Sequence, residues 1–146
     1  EVIDPNFIKK NSLDFEKELI QVLKLYNIDI ICLAGFMKIL SKKFIDNFKD
    51  RILNIHPSLL PKYRGLNTHA RAIASNDSIA GCSVHLVTPE LDGGPVLAQS
   101  KVVIKKNETE KSLALKVLFE EHLLYPRVLL SSSNQLTKKL GAENCK

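Results

Sequence analysis

Asn54-Ile55-His56-Pro57-Ser58 closes a short apolar run with an amide and an imidazole two residues apart. In an extended segment successive side chains alternate between faces, so Asn54 and His56 share one face while Leu53 and Ile55 take the other. Beside an imidazole that can hold a proton, the Asn54 amide reads as a donor to an oxygen that gains negative charge. Alone, His56 would read as a core histidine satisfied by a backbone carbonyl. Asn54 before it and the proline-braced turn after it tip the reading toward a site. A carboxylate is the group still wanting. Glu90-Leu91-Asp92-Gly93-Gly94-Pro95 offers two, in a loop whose glycines let backbone approach a ligand closely. Asp-Gly is also a surface turn in any protein. Asp92 counts only if the fold brings it to His56, where it would orient the ring and favour its charged form.

Other polar side chains carry two readings each. Ser83, His85 and Val87 share one face of a strand, so His85 serves either packing or ligand contact. Glu121 falls on the apolar stripe defined by Ala114, Val117, Leu118, Leu124 and Tyr125. There it is either a stripe-edge side chain reaching solvent or an acceptor for ligand hydroxyls, since a buried unpaired carboxylate is expensive. The spacings of His56, His69 and His85 match no compact metal motif and no cysteine joins them, so no metal is expected. No serine or cysteine is placed beside His56 as an activated nucleophile, which argues against a covalent route.

The elements that must position these groups follow from periodicity. Residues 12–26 read as an amphipathic helix capped by Ser12, with Phe15, Leu19, Val22, Leu23 and Tyr26 on one face. Residues 28–34 are a near-continuous apolar run, expected as a strand covered on both faces and ended by Gly35. A short helix over 41–48 and a strand over 51–54 complete a βαβ rhythm. That rhythm sets Asn54 and His56 at the carboxyl edge of a parallel strand, where open α/β sheets bind ligands. Residues 57–66 read as loop, 68–75 as a short helix, and 81–88 and 96–104 as strands around a loop at 89–95. Asn107 with Glu110 reads as a capping box for a helix ending near Tyr125, because Pro126 follows. From residue 131 the serine-rich, basic tail is expected to fray. The fold class is α/β, a mostly parallel twisted sheet flanked by helices.

The chain of 146 residues is long enough for one domain with one substantial core. With 45% hydrophobic and 25% charged residues it is neither disordered nor fibrous. Its 21 basic residues give a net charge of +5 but are scattered, which favours small anionic molecules over nucleic acid. The apolar run at 28–37 is interrupted and too short to span a bilayer, and no signal peptide is evident, so no membrane partner is expected. Three cysteines in no metal-like spacing, two of them inside apolar runs, favour a reducing cytoplasm. The chain opens on Glu1 with no preceding βα unit, which leads us to expect a longer parent protein.

Four stretches then resemble one family: residues 34–40 (Ala34-Gly35-Phe36-Met37-Lys38-Ile39-Leu40), residues 54–63 (beginning Asn54-Ile55-His56-Pro57-Ser58), Gly65-Leu66-Asn67-Thr68-His69, and residues 83–95. They look like phosphoribosylglycinamide formyltransferases of purine biosynthesis, in the right order and from the start to about residue 130. The Asn-x-His-Pro-Ser stretch with a later Asp marks only the wider formyl-transfer superfamily. The Leu91-Asp92-Gly93-Gly94-Pro95 and Gly65-to-His69 stretches select this member.

The resemblance implies a Rossmann-like formyltransferase domain over residues 1–130, with 131–146 as tail. It implies transfer of the formyl group of 10-formyltetrahydrofolate to the glycyl amine of glycinamide ribonucleotide through a tetrahedral intermediate. Asn54, His56 and Asp92 match the catalytic trio; Met37, Lys38, Ile39 and Leu40 with Pro89, Glu90, Leu91 and Asp92 match the folate pocket; Glu121 matches the acid that takes ribonucleotide hydroxyls. Partners would be these small molecules, with a homodimer left open. Arg64 departs from the family pattern, which often has proline there. The family's N-terminal strand and phosphate-binding turn have no counterpart in the sequence, so residues 1–146 would be its later two-thirds. Within the superfamily a deformylase or a methionyl-tRNA formyltransferase is the alternative, the latter normally with an added C-terminal nucleic-acid domain; an inactive folate-binding fragment is the alternative from another class.

Overall fold

The computed structural model describes residues 12–143, and side chains over 15–133. In chain order the elements are α1 (Ser12–Leu25), β1 (Ile31–Leu33), α2 (Lys42–Asn47), β2 (Ile52–His56), α3 (Thr68–Ala74), β3 (Ile79–Leu86), β4 (Val96–Val103) and α4 (Glu110–Glu143). The expected cap at Ser12 falls outside the described side chains. Four strands form one sheet in the order β1-β2-β3-β4.

The α/β class holds, but the sheet is mixed rather than mostly parallel. Only β1 and β2 run parallel, joined across α2, which is the expected βαβ unit. β3 lies antiparallel to β2, and β4 antiparallel to β3. Residues 87–95 are too few for a parallel crossover, which needs a dozen or more residues and usually a helix. The β2-to-β3 connection does contain a helix, which is why helix-strand alternation suggested a parallel pair. β1 is shorter than the apolar run around it and half-buried, with Cys32 exposed, not covered on both faces. Among the described residues it pairs on one side alone.

Alternation along β2 divides its side chains between two cores. Ile52 joins Leu40, Phe44, Ile45 and Phe48, with Leu19, Ile20 and Leu23 of α1 packed on them. Ile55 joins Ala72 of α3, Cys82 and Val84 of β3, and Leu113 and Val117 of α4. Asn54 and His56 therefore emerge on the α1/α2 side of the sheet, as their spacing predicts. α1 is tied to α2 by polar contacts as well. Ser41 caps α2, its hydroxyl accepting from the Phe44 amide at 3.1 Å, and the Glu16 carboxylate takes the Ser41 amide at 2.7 Å and its hydroxyl. A cap of this kind contributes about 1 kcal/mol.

α4 corrects two expectations. Its capping box is made by Thr109 and Ser112, each hydroxyl accepting from the other's amide at 3.2 Å, not by Asn107 and Glu110. Asn107 instead takes a left-handed turn conformation at φ 63°. The helix does not end at Tyr125, and residues 131–143, expected to fray, continue it. Pro126 removes one backbone hydrogen bond inside the helix. Packing on both sides of that point holds the helix together: Leu124, Tyr125 and Val128 lie against the core. The Tyr125 hydroxyl also donates to the carbonyls of Leu33 and Leu53, both at 3.0 Å, pinning α4 to the parallel strand pair.

Leu113 and Val117 are fully buried, and each such side chain contributes about 1.5–3 kcal/mol through burial. Leu113→Ala should therefore cost about 2–5 kcal/mol, transfer and cavity together. Urea unfolding followed by circular dichroism measures this. An unchanged midpoint would show that α4 does not close the core.

Candidate active site

The β2/β3 register sets the site. Asn54 pairs with His85 across the strands, and His56 with Ser83, so the polar pair on β2 meets the polar pair on β3. Asp92 arrives from the loop after β3. Its Oδ2 lies 3.4 Å from His56 Nδ1, and its Oδ1 lies 3.7 Å from His85 Nε2. The three side chains are 10%, 8% and 3% exposed for Asp92, His56 and His85, so their electrostatics act in a largely dry environment.

Hydrogen-bond chemistry fixes what each ring does. His85 Nδ1 lies 2.9 Å from the Leu86 carbonyl, which only accepts, so Nδ1 carries the proton. Its Nε2 is then a bare acceptor, and Asn54 Nδ2 donates to it at 3.2 Å. Burial pushes the His85 pKa below its ordinary 6.5; the Leu86 carbonyl and Asp92 pull the other way and are outweighed. A neutral His85 thus orients the Asn54 amide and leaves its second N–H free. His56 differs. Its Nε2–H donates to the Tyr63 carbonyl at 2.9 Å, and Nδ1 faces Asp92. When protonated, the ring sits between two acceptors.

Asp92 is held by backbone. It has a left-handed φ of 47°, which aspartate tolerates better than most side chains. Its turn closes through the Gly93 amide donating to the Glu90 carbonyl at 3.1 Å. The Gly65 amide donates to Asp92 Oδ2 at 2.8 Å. Gly94 permits the close return of the loop onto β3, since a Cβ there would lie 1.9 Å from the Leu86 carbonyl oxygen.

Of the remaining expected site residues, Lys38, Ile39 and Leu40 line one cleft with Pro89, Glu90, Leu91 and Asp92. Apolar Leu33, Phe36, Ile45 and Val87 form its floor, and Asn54 and His85 reach into it. Met37 stands beside it, 80% exposed. Ser83 does not reach the cleft. Its hydroxyl is fully buried, donates to the Ser58 carbonyl at 2.6 Å and accepts from Leu60 and Gln99, so it braces the turn after His56. Glu121 stands on α4 beside Cys82, on the other side of the sheet from Asn54 and His56. Burial raises its pKa, and no hydrogen bond joins it to another described residue. A second cavity of about 230 Å³ holds His69 but none of the trio.

Sequence reasoning missed Tyr63, Gly65 and Gln99, which act through backbone atoms or through other residues. Gly65 takes φ 77°, in a segment where Tyr63 and Asn67 are also left-handed at 55° and 57°.

A sheet of this topology brings an amide, an imidazole and a carboxylate, those of Asn54, His85 and Asp92, to one cleft, with His56 behind Asp92. Residues 2–129 match the family described as Formyl transferase, and the chain belongs to that family. It is 48% identical over 115 residues to phosphoribosylglycinamide formyltransferase of Escherichia coli strain K12, covering 79% of this chain and 54% of that protein. It is 40% identical over 120 residues to the trifunctional purine biosynthetic protein adenosine-3 of Homo sapiens, covering 82% of this chain and 12% of that one. The chain thus spans about half the length of the bacterial relative. Among solved structures, glycinamide ribonucleotide transformylase 1 of Symbiobacterium toebii superposes with a TM-score of 0.83 at 36% identity, over 90% of this chain and 62% of that one. Phosphoribosylglycinamide formyltransferase of Brucella melitensis gives 0.78 at 48% identity, over 82% and 62%.

The depressed His85 pKa has a pH consequence. Between the folded value and 6.5 the unfolded chain binds more protons at this residue, so stability falls as pH drops through that window. Urea unfolding at about pH 5 and about pH 7, bracketing the ordinary histidine range, should show a larger acid loss for the parent than for His85→Gln. Equal losses would mean that His85 is not held neutral.

Proposed function

We propose that this chain carries the reaction centre of a phosphoribosylglycinamide formyltransferase, moving a formyl group from 10-formyltetrahydrofolate to the glycyl amine of glycinamide ribonucleotide in the cytoplasm. The observation that carries the reading is that Asp92, from a distant loop, lies 3.4 Å from His56 and lines one cleft with Asn54. The cleft fits a flat heterocycle. Its floor is aliphatic and aromatic, polar groups stand at its edge, and Met37, Ile39 and Leu91 lie 80%, 80% and 56% exposed around it. Exposed apolar groups gathered at a cleft point to a ligand that covers them. The bound folate supplies the formyl carbon.

The chain's own residues then divide the work. As the amine adds, the formyl oxygen takes up negative charge, and the free N–H of Asn54 donates to it. Loss of one such donor typically costs roughly 2.7 to 4 kcal/mol. His56 supplies the second donor through Nδ1. Its 3.4 Å separation from Asp92 is about half an ångström longer than a tight charge-assisted bond, so Nδ1–H can be shared with an oxygen arriving beside Asp92. Asp92 holds the imidazolium and takes the proton that the amine loses; as the tetrahedral carbon collapses, its bond to the folate nitrogen breaks and that nitrogen receives the proton, directly or through a water. Glu121, half-buried and with no hydrogen bond to another described residue, is the acid assigned to ribonucleotide hydroxyls in this reading.

Asp92→Asn in a transfer-competent protein containing this segment should lower turnover by about 100- to 10,000-fold with folate affinity nearly unchanged. Stopped assays with 10-formyltetrahydrofolate, with and without glycinamide ribonucleotide, measure it. Turnover near the parent's would reduce Asp92 to a turn residue. Formate release to water in place of transfer would mark a deformylase, and binding without either reaction a folate-binding fragment.

A further inference from the structure

The loop at residues 63–66 serves two members of the site: the Tyr63 carbonyl accepts from His56 Nε2–H and the Gly65 amide donates to Asp92 Oδ2. Left-handed backbone at Tyr63, Gly65 and Asn67 precludes a regular hydrogen-bonded run, so side chains must hold it. Arg71 does so from beneath. Its Nη1 donates to the Arg64 carbonyl at 2.7 Å and to the Leu66 carbonyl at 3.3 Å, and its guanidinium lies 5.1 Å from the Tyr63 ring centre. From the other side the Arg64 guanidinium pairs with the Glu90 carboxylate. Glu90 opens the turn that presents Asp92, and its side chain folds over Gly93, where a Cβ would lie 2.4 Å from Glu90 Cδ.

We propose that Arg64 and Glu90 are positioning residues, an ion-pair clasp that fastens the loop bearing the Tyr63 carbonyl and Gly65 amide to the turn bearing Asp92. This rests on the proposed function for its catalytic meaning, though not for its geometry. The pair joins positions one residue from Gly65 and two from Asp92, so it acts where the two segments touch. Its side chains are 38% and 65% exposed, so it contributes little to global stability. Its effect is local, on the fraction of molecules in which Gly65 and Asp92 are docked.

Amide hydrogen exchange followed by NMR tests this on the full chain. Arg64→Ala and Glu90→Gln should each speed exchange at Gly65 by about two- to fivefold, the range that exposed pairs support, while Val84 in β3 keeps the parent rate. The His56 Nε2–H resonance should broaden in both. The charge-swapped double variant, Arg64→Glu with Glu90→Arg, should return Gly65 to the parent rate. In a transfer-competent protein Arg64→Ala should lower kcat by a similar factor and leave KM for the formyl donor unchanged. Exchange at the parent rate in both single variants, a swapped pair as fast as the singles, or faster exchange with kcat untouched would each overturn the clasp. The exchange readout needs no turnover, so a protein that exchanges as expected and transfers nothing would overturn the proposed function alone.

Discussion

A carboxylate almost out of water is the constraint around which the site is arranged. Asp92 keeps only 10% of its side chain exposed, and a charge so placed is tolerated only with close polar partners. The fold supplies the His56 ring and the Gly65 amide from two separate segments, with His85 neutral 3.7 Å away. Each segment of the site needs its own support: the β2/β3 ladder for the imidazoles, Arg71 for the loop, and the close pass of Gly94 over Leu86 for the turn.

The two histidines show how neighbours assign roles to identical side chains. Both are buried, and both face Asp92. His85 gives its one proton to the Leu86 carbonyl and turns a lone pair toward Asn54, which makes it an orienting group that resists a second proton. His56 has an acceptor at each nitrogen, the Tyr63 carbonyl and Asp92. Sequence spacing alone could not separate these roles, because backbone carbonyls decide them.

Much of the fold was legible. Helical and strand periodicity placed the start of every element within a few residues, and the two-residue spacing of Asn54 and His56 correctly put both on one face. What failed was directional. Strand polarity depends on how a connection packs, and the helix between β2 and β3 mimicked a crossover. Pro126 was read by its local cost, while contacts at Tyr125 and Val128 outweigh it. Among the candidate site residues, Asn54, His56 and Asp92 stood out because their polar groups lie in their side chains. The Tyr63 carbonyl and the Gly65 amide were not, since every residue carries such groups and only three-dimensional folding selects which are used. Ser83 was ambiguous for a related reason. Its face was right, but its hydroxyl is saturated by Ser58, Leu60 and Gln99.

The pairing of Asn54 with His85 and His56 with Ser83 ties activity to correct assembly. Sliding β3 by one position would turn Val84 into the polar cleft and His85 into the greasy interior. Mispaired molecules would forfeit solidity together with the site, leaving them conspicuous to proteolysis.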